Sequence, residues 1–267
     1  MHRVLFTILL CTGACFGQRT YLRADGNSAN TYNLINGVLG GTAVEVPDCV
    51  HPQMHITQRI DTDLSIPVFN FHSHVDIDND RCINFDRMRT EIKTYGPSPA
   101  HMKCFNGERV SYSWDLRLNS QFQPSTAFTH IFQSKAVGGE DSMPFITLTP
   151  RLRGSATFLQ VLHAGTNSVQ TPIWEGPLSD FAGRWVHITV EYTCATQGRF
   201  HIRIKRLDNG QQLMSYTNSH IEMWRTGNEF LRPKWGIYRS LNNRVNLRDE
   251  FVYLNNICLA KNEPMCS

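Results

Sequence analysis

The sequence has no apolar run beyond its N-terminal segment that approaches the roughly 18–20 residues a bilayer-spanning helix needs, which excludes a helical integral membrane protein. It also has no internal repeat and no low-complexity tract, so solenoid, collagenous and disordered readings fall away. No Cys-x-x-Cys pair occurs, which leaves little for a zinc knuckle or a thioredoxin-like motif. With no Asn-x-Ser/Thr sequon, N-glycosylation is not expected. Charge of one sign is scarce too. The 26 Lys+Arg stand interleaved with 23 Asp+Glu for a net charge of +3, which argues against a nucleic-acid partner and suits, at most, a polyanionic one. Helical periodicity is nearly missing, with only Leu178–Phe181 and Ser219–Arg225 hinting at short helical turns.

What is present is an ordinary globular composition, 41% hydrophobic and 10% aromatic over 267 residues, enough for one large domain with a substantial core. The N-terminus reads as a secretory signal over residues 1–17. His2 and Arg3 are its basic start, Val4 to Cys11 its apolar run, and Ala14, Cys15 and Gly17 the small residues before a cleavage point at Gln18. Residues 18–267 are then expected to form a single domain of an extracellular, monomeric protein. Export would remove Cys11 and Cys15 and place Cys49, Cys82, Cys104, Cys194, Cys258 and Cys266 in an oxidising compartment. The pairings expected are Cys49 with Cys82, and Cys258 with Cys266 as a staple on the C-terminal tail.

From about residue 66 the apolar pattern has period two. Ile66–Asp76, Arg89–Tyr95, Val110–Asn119, Ala127–Lys135, Pro144–Pro150, Ala156–His163, Arg184–Cys194, Arg199–Leu207, Lys234–Ser240 and Glu250–Ala260 each mix aromatic and β-branched residues with alternating polar ones. Turn-formers separate them, and Asp208-Asn209-Gly210 is a hairpin signal. Many antiparallel strands joined by loops point to an all-β, two-sheet sandwich or jelly roll, with the turn-rich residues 18–60 wrapped over it.

Alternation also sorts polar residues onto faces. His72, His74 and Asp76 share one face of their strand, with Phe69, Phe71 and Val75 on the other. Arg89, Glu91 and Lys93 share a face, and so do Lys234, Gly236, Tyr238 and Ser240, with Trp235 and Ile237 turned to the core. His130 and Gln133 are three apart and face opposite sides unless a bulge intervenes. The polar faces of Trp185–Glu191 and His201–Lys205 read as plain solvent faces. The first group differs, because Arg, Lys, His and Tyr fall together with a glycine where a side chain would obstruct a ligand. A sheet face lined in that way would bind an extended carboxylated chain.

Asp78-Asn79-Asp80-Arg81-Cys82 through Arg89-Thr90-Glu91-Ile92-Lys93-Thr94-Tyr95-Gly96-Pro97-Ser98, Phe128-Thr129-His130, and Arg232-Pro233-Lys234-Trp235-Gly236-Ile237-Tyr238-Arg239-Ser240 together resemble the glucuronan lyase family of polysaccharide lyases, over most of the chain from about Tyr32 to Lys261. The resemblance implies a β-jelly roll of the concanavalin-like sandwich type with a concave polysaccharide-binding groove. It also implies an Arg-x-Glu strand (Arg89, Glu91), a Gln/His strand and a Lys-x-Gly-x-Tyr strand (Lys234, Tyr238). The middle motif departs from the alginate-lyase pattern Gln-Ile-His: His130 takes the Gln place and Phe132 the His place. That departure makes His74 a second candidate base. A structural calcium ion is also implied and would fall on Asp76, Asp78 and Asp80, although the chemistry requires no cofactor.

A uronate lyase removes the proton on the carbon beside the carboxylate and expels the 4-linked sugar. The site must neutralise that carboxylate and supply a base and an acid within hydrogen-bond reach. Arg89 is expected to neutralise, and Gln133 could join it if a bulge turns it inward. Tyr238, with His74 or His130, would move the protons, Lys234 being the cation expected to favour a tyrosinate. Glu91, Lys93, Lys234, Arg239 and His72 complete the expected substrate contacts. The substrate expected is a polyuronide, foremost β-1,4-glucuronan, with neither nucleic acid nor membrane as partner. A non-catalytic lectin on the same scaffold is the alternative, and a glycoside hydrolase would need a second carboxylate paired with Glu91.

Overall fold

The computed structural model describes residues 18–48, 53–76, 80–242, 244–262 and 266. The chain opens with β1 (Gln18–Leu22), α1 (Thr31–Leu39) and β2 (Val44–Glu45). Then come β3 (Ile56–Ile60), β4 (Pro67–Ser73), β5 (Arg87–Lys93), β6 (Arg109–Leu118) and β7 (Thr129–Val137). Next are β8 (Ile146–Arg153), β9 (Ala156–His163), β10 (Thr171–Pro177), β11 (Trp185–Thr193) and β12 (Gly198–Arg206). The last are β13 (Gln212–Ile221), β14 (Phe230–Ser240) and β15 (Glu250–Lys261). Among the described residues no helix is long and apolar enough to cross a membrane.

These strands form two antiparallel sheets. One runs β13-β12-β11-β6-β15-β4-β3, with β1 beside β15; the other runs β10-β9-β8-β7-β14-β5-β2. Successive strands β4, β5, β6 and β7 alternate between the sheets, the crossing pattern of the expected jelly roll. The period-two residues meet between the sheets: Trp114 of β6 stacks on Phe132 of β7 at 4.7 Å and stands edge-on to Trp235 of β14 at 6.1 Å. All three are fully buried, so the apolar face of β14 is fixed inward and its polar face outward.

Helix α1 lies in the stretch expected to be turn-rich. Thr31, Ile35 and Leu39 form its buried stripe at i, i+4, i+8, a face too short and too interrupted by Asn and Gly to stand out. The Asp208-Asn209-Gly210 turn joins β12 to β13 as expected, with Gly210 at φ 71°. Strand β10 has no counterpart among the expected runs, and the residues read as a helical turn at 219–225 are the end of β13 and the segment after it. The Cys258–Cys266 disulfide forms as expected. Cys104–Cys194 is a second bridge whose partners the sequence left open. The expected Cys49–Cys82 pair rests on Cys49, which lies outside the described residues, as do residues 1–17.

One buried cation shapes the loop between β7 and β8. Arg225, 2% exposed, donates to the carbonyls of Ala164 (2.7 Å), Gly165 (2.9 Å), Glu140 (3.1 Å) and Met143 (2.7 Å), and its guanidinium lies 4.0 Å above the Phe145 ring. It thereby pins the 138–145 loop against the second sheet.

Candidate active site

Strands β5, β14 and β7 stand side by side in the second sheet, with Tyr238 paired to Arg89 on one side and to His130 on the other. A cleft of about 350 Å³ opens over them. Its floor is Arg87, Arg89, Tyr238, His130, Gln133 and Lys135, and its walls are Phe128, Ser142–Pro144 and Gln170. Among the described residues no carboxylate lines it.

His130 and Gln133 share this cleft because of a bulge. Between the pairs Trp235–Phe132 and Tyr238–His130, β14 places two residues, Gly236 and Ile237, opposite the single residue Ile131. That mismatch lets Ile131 and Phe132 both enter the core while Gln133 and His130 both reach the cleft. Gly236 is the residue that permits it. It has φ 133°, and a Cβ there would run into the Thr90 carbonyl oxygen, the Glu91 Cα at 2.9 Å and the Phe71 ring at 3.0 Å. The glycine therefore serves the close approach of strand and core; the expectation that it clears space for a ligand is corrected.

Tyr238 is held from three directions. Arg87 Nη1 donates to its hydroxyl at 3.2 Å, the Arg89 guanidinium lies 4.0 Å from its ring centroid, and Phe128 packs at 4.9 Å. The cations on this tyrosine are thus Arg87 and Arg89, and Lys234 is elsewhere. Arg87 was missed, although Arg87-Met88-Arg89 simply extends the alternation that marked Arg89.

His130 is 6% exposed and stacks on Phe128 at 5.2 Å. Burial, with Arg151 and Arg89 nearby, pushes its pKa down to about 3, so the ring is neutral. Its Nδ1 lies 2.8 Å from Thr149 Oγ1, and the Thr149 hydroxyl donates to Thr147 Oγ1 at 2.9 Å. Thr149 therefore accepts from Nδ1–H, which leaves the lone pair of His130 on Nε2.

Below and beside the cleft lies an ion cluster centred on Glu45, a residue of the two-residue edge strand β2. Glu45 Oε1 accepts from Lys93 Nζ (2.7 Å) and from Arg81; Oε2 accepts from Lys234 and stands 3.6 Å from Arg89 Nη1. Glu91 accepts from Gln133 Nε2 (2.5 Å) and faces Lys234 Nζ at 3.5 Å. Burial works to raise the Glu45 carboxyl, but Lys234, Lys93 and Arg89 outweigh it and hold it well below the usual carboxylate range. Burial also pushes Lys93 down to about 8 and lowers Lys234. Glu91, Lys93 and Lys234 are 0%, 8% and 1% exposed. They lie on the expected face but are enclosed by Glu45, so the structure does not present them as substrate contacts.

Three other expectations fall outside the cleft. Arg239 is fully buried on the opposite side of β14 from Tyr238, donating to the carbonyls of Ser73 and Arg248 at 2.8 Å, and burial pushes its pKa down to about 10. His72 and His74 belong to the other sheet, on and just after β4. There His72 stacks on Phe251 at 4.5 Å, and His74 Nε2 lies 2.9 Å from His55 Nε2, whose Nδ1 meets Asp48 at 2.5 Å. The reason is topological, since alternation assigns faces within a strand and β4 and β5 cross to different sheets. Of the three aspartates expected to bind calcium, Asp76 is exposed and Asp78 lies outside the described residues. Asp80 Oδ1 sits 3.2 Å from Arg89 Nε. A carboxylate that already faces a guanidinium does not fit a calcium shell, and among the described residues no cluster of three or more His, Cys, Asp or Glu is arranged to hold a metal.

The sequence matches no protein-family model and no curated protein. Solved structures do match. An endo-β-1,4-glucuronan lyase from the fungus Trichoderma reesei shares 13% identity over 78% of this chain and 87% of its own, with a TM-score of 0.52. An alginate lyase from Pseudomonas aeruginosa shares 13% over 81% and 96%, with a TM-score of 0.54. A further alginate lyase shares 12% over 93% and 98%, with a TM-score of 0.60. The chain thus has the β-jelly-roll fold found in these polysaccharide lyases.

Proposed function

We propose that this protein is a polysaccharide lyase that cleaves a polyuronide by β-elimination, with β-1,4-glucuronan as its foremost substrate. The observation that carries the reading is a cleft that brings a tyrosine hydroxyl and a neutral, buried histidine together among arginine and lysine side chains, with no carboxylate among its described lining residues. A retaining or inverting hydrolase needs two carboxyl groups at the scissile bond, and Glu91 is sealed beneath the floor with Gln133 and Lys234. The resemblance to glucuronan and alginate lyases in fold supports the same class.

In this reading Nε2 of His130 takes the proton from the carbon beside the carboxylate. The electron pair forms the new carbon–carbon double bond, the bond to the 4-linked oxygen breaks, and the Tyr238 hydroxyl gives that oxygen its proton. Arg87, which donates to the hydroxyl, stabilises the phenolate as it forms. The low proton affinity of His130 stems from burial and then from Arg151 and Arg89, and an entering carboxylate offsets the arginines when the base is needed. Gln133 and the guanidinium of Arg89 are the groups assigned to the carboxylate of the reacting sugar. The two disulfides among the described residues support an extracellular setting.

Mass analysis of products from glucuronan, alginate and heparin-type chains tests both the reaction and its substrate. Elimination gives fragments one water lighter than hydrolysis, accumulating most rapidly from glucuronan. Fragments carrying the added water would make the protein a hydrolase, and binding without any cleavage would make it a lectin.

A further inference from the structure

Most cations around the cleft already face a carboxylate, and Lys135 on its floor is held by the backbone carbonyls of Asp141 and Ser142. Arg81, Lys93 and Lys234 converge on Glu45, Arg87 pairs with Asp86 at 2.8 Å, and Arg89 is shared among Asp80, Glu45 and Glu91. Further along the sheet Arg153 pairs with Glu175. Arg151 of β8, which lines a neighbouring cavity, faces no carboxylate among the described residues either. Its guanidinium donates only to the backbone carbonyls of Thr126 (3.4 Å) and Ala127, and it is partly buried.

Its position gives this unclaimed charge a use. Arg151 follows Thr149, the residue that orients His130, by two places on the same strand, and it is close enough to depress the histidine's proton affinity. It lines a second cavity of about 320 Å³ with Gln160 and Gln170, and Gln170 also walls the catalytic cleft. The two cavities therefore adjoin across β8 to β10, whereas toward β2 the Glu45 cluster leaves its cations already matched. A partly buried guanidinium that lacks an anion favours taking one from a ligand, and carboxylate is the planar two-oxygen partner that its fork fits.

We propose that Arg151 binds the carboxylate of a second uronate, next to the one that reacts, so that the polymer runs from the Tyr238–His130 pair toward β10. This rests on the polyuronide reading and adds a requirement to it. Neighbouring sugars must both be charged, which favours a contiguous polyuronide over a chain in which uronates alternate with neutral residues.

Calorimetric binding of a glucuronate tetramer, and of the same tetramer with its carboxyl groups methyl-esterified, tests the assignment on the intact protein. Arg151→Gln is expected to weaken binding of the acid form about 10- to 100-fold while leaving the weak binding of the ester unchanged. Arg151→Lys, which keeps the charge without the fork, should fall between the two, and its thermal transition checks that the fold persists. Equal affinity of Arg151→Gln and the unaltered protein for the acid form would overturn the proposal, as would equal losses for acid and ester, or an unaltered protein that binds neither. Elimination is followed separately. Tight, Arg151-dependent binding without product would leave this site standing and remove the lyase reading instead.

Discussion

His130 carries a consequence that can be measured apart from catalysis. Its pKa falls from 6.5 to about 3 on folding, so between those values the unfolded chain binds a proton that the folded chain refuses. Stability contributed at this position is present above about 6.5 and is lost as pH falls, by roughly 1.4 kcal/mol for each unit in that window. Replacing the imidazole by an amide that does not titrate removes this term. Urea unfolding of His130→Gln, compared with the unaltered protein from neutral pH down to about 4, should show the variant losing less stability across the range. Parallel slopes would mean that the histidine titrates alike in the folded and the unfolded chain, which would contradict the lowering of its pKa by burial. The same variant is expected to lose elimination activity, since its amide has no lone pair basic enough to take a carbon-bound proton.

At the scale of the element, the bulge in β14 decides whether the site exists. Period-two reasoning placed Lys234 and Tyr238 on one face correctly, yet it could not decide where Gln133 points, because the extra residue is a property of the β14–β7 pair and not of either strand. Gly236→Ala is expected to cost about 1–3 kcal/mol, since its Cβ meets the Thr90 carbonyl and the Phe71 ring in packed surroundings. It should also lower kcat at least about 10-fold by shifting Tyr238 against His130. Denaturant midpoints and initial rates measured together check both effects, and an alanine variant of full stability and rate would show that the bulge is not needed. Two further elements explain the other departures. Glu45 comes from a strand of two residues, too short to leave a pattern, and it turns Lys93, Lys234 and Glu91 from groove residues into a closed ion cluster. The crossing from β4 to β5 takes His72 and His74 to the other sheet, which no reading of either strand alone reveals.

For the molecule as a whole, the two-layer fold was legible because Trp114, Phe132 and Trp235 impose period two on strands that are polar on their other face. The three central residues of the candidate site were legible too, since Arg89, His130 and Tyr238 fall on strands that pair directly. The walls were not. Phe128, Met143 and Gln170 come from loops and strand ends, and the 138–145 wall depends on Arg225, far along the chain in a segment read as a helical turn. The near-neutral charge of the whole chain also hides a division of labour, in which most cations near the cleft are matched internally and Arg151 remains for a ligand.

The central claim is that this cleft performs β-elimination with Tyr238 as the proton donor. The most direct measurement follows, in one cuvette, the ultraviolet absorbance of the unsaturated uronate as the protein acts on glucuronan, with reducing ends counted in parallel. The unaltered protein should generate absorbance and reducing ends in equal number, and Tyr238→Phe should lower both at least about 100-fold while its melting temperature holds. Reducing ends that appear without absorbance, or a Tyr238→Phe variant that keeps the full rate, would contradict the account.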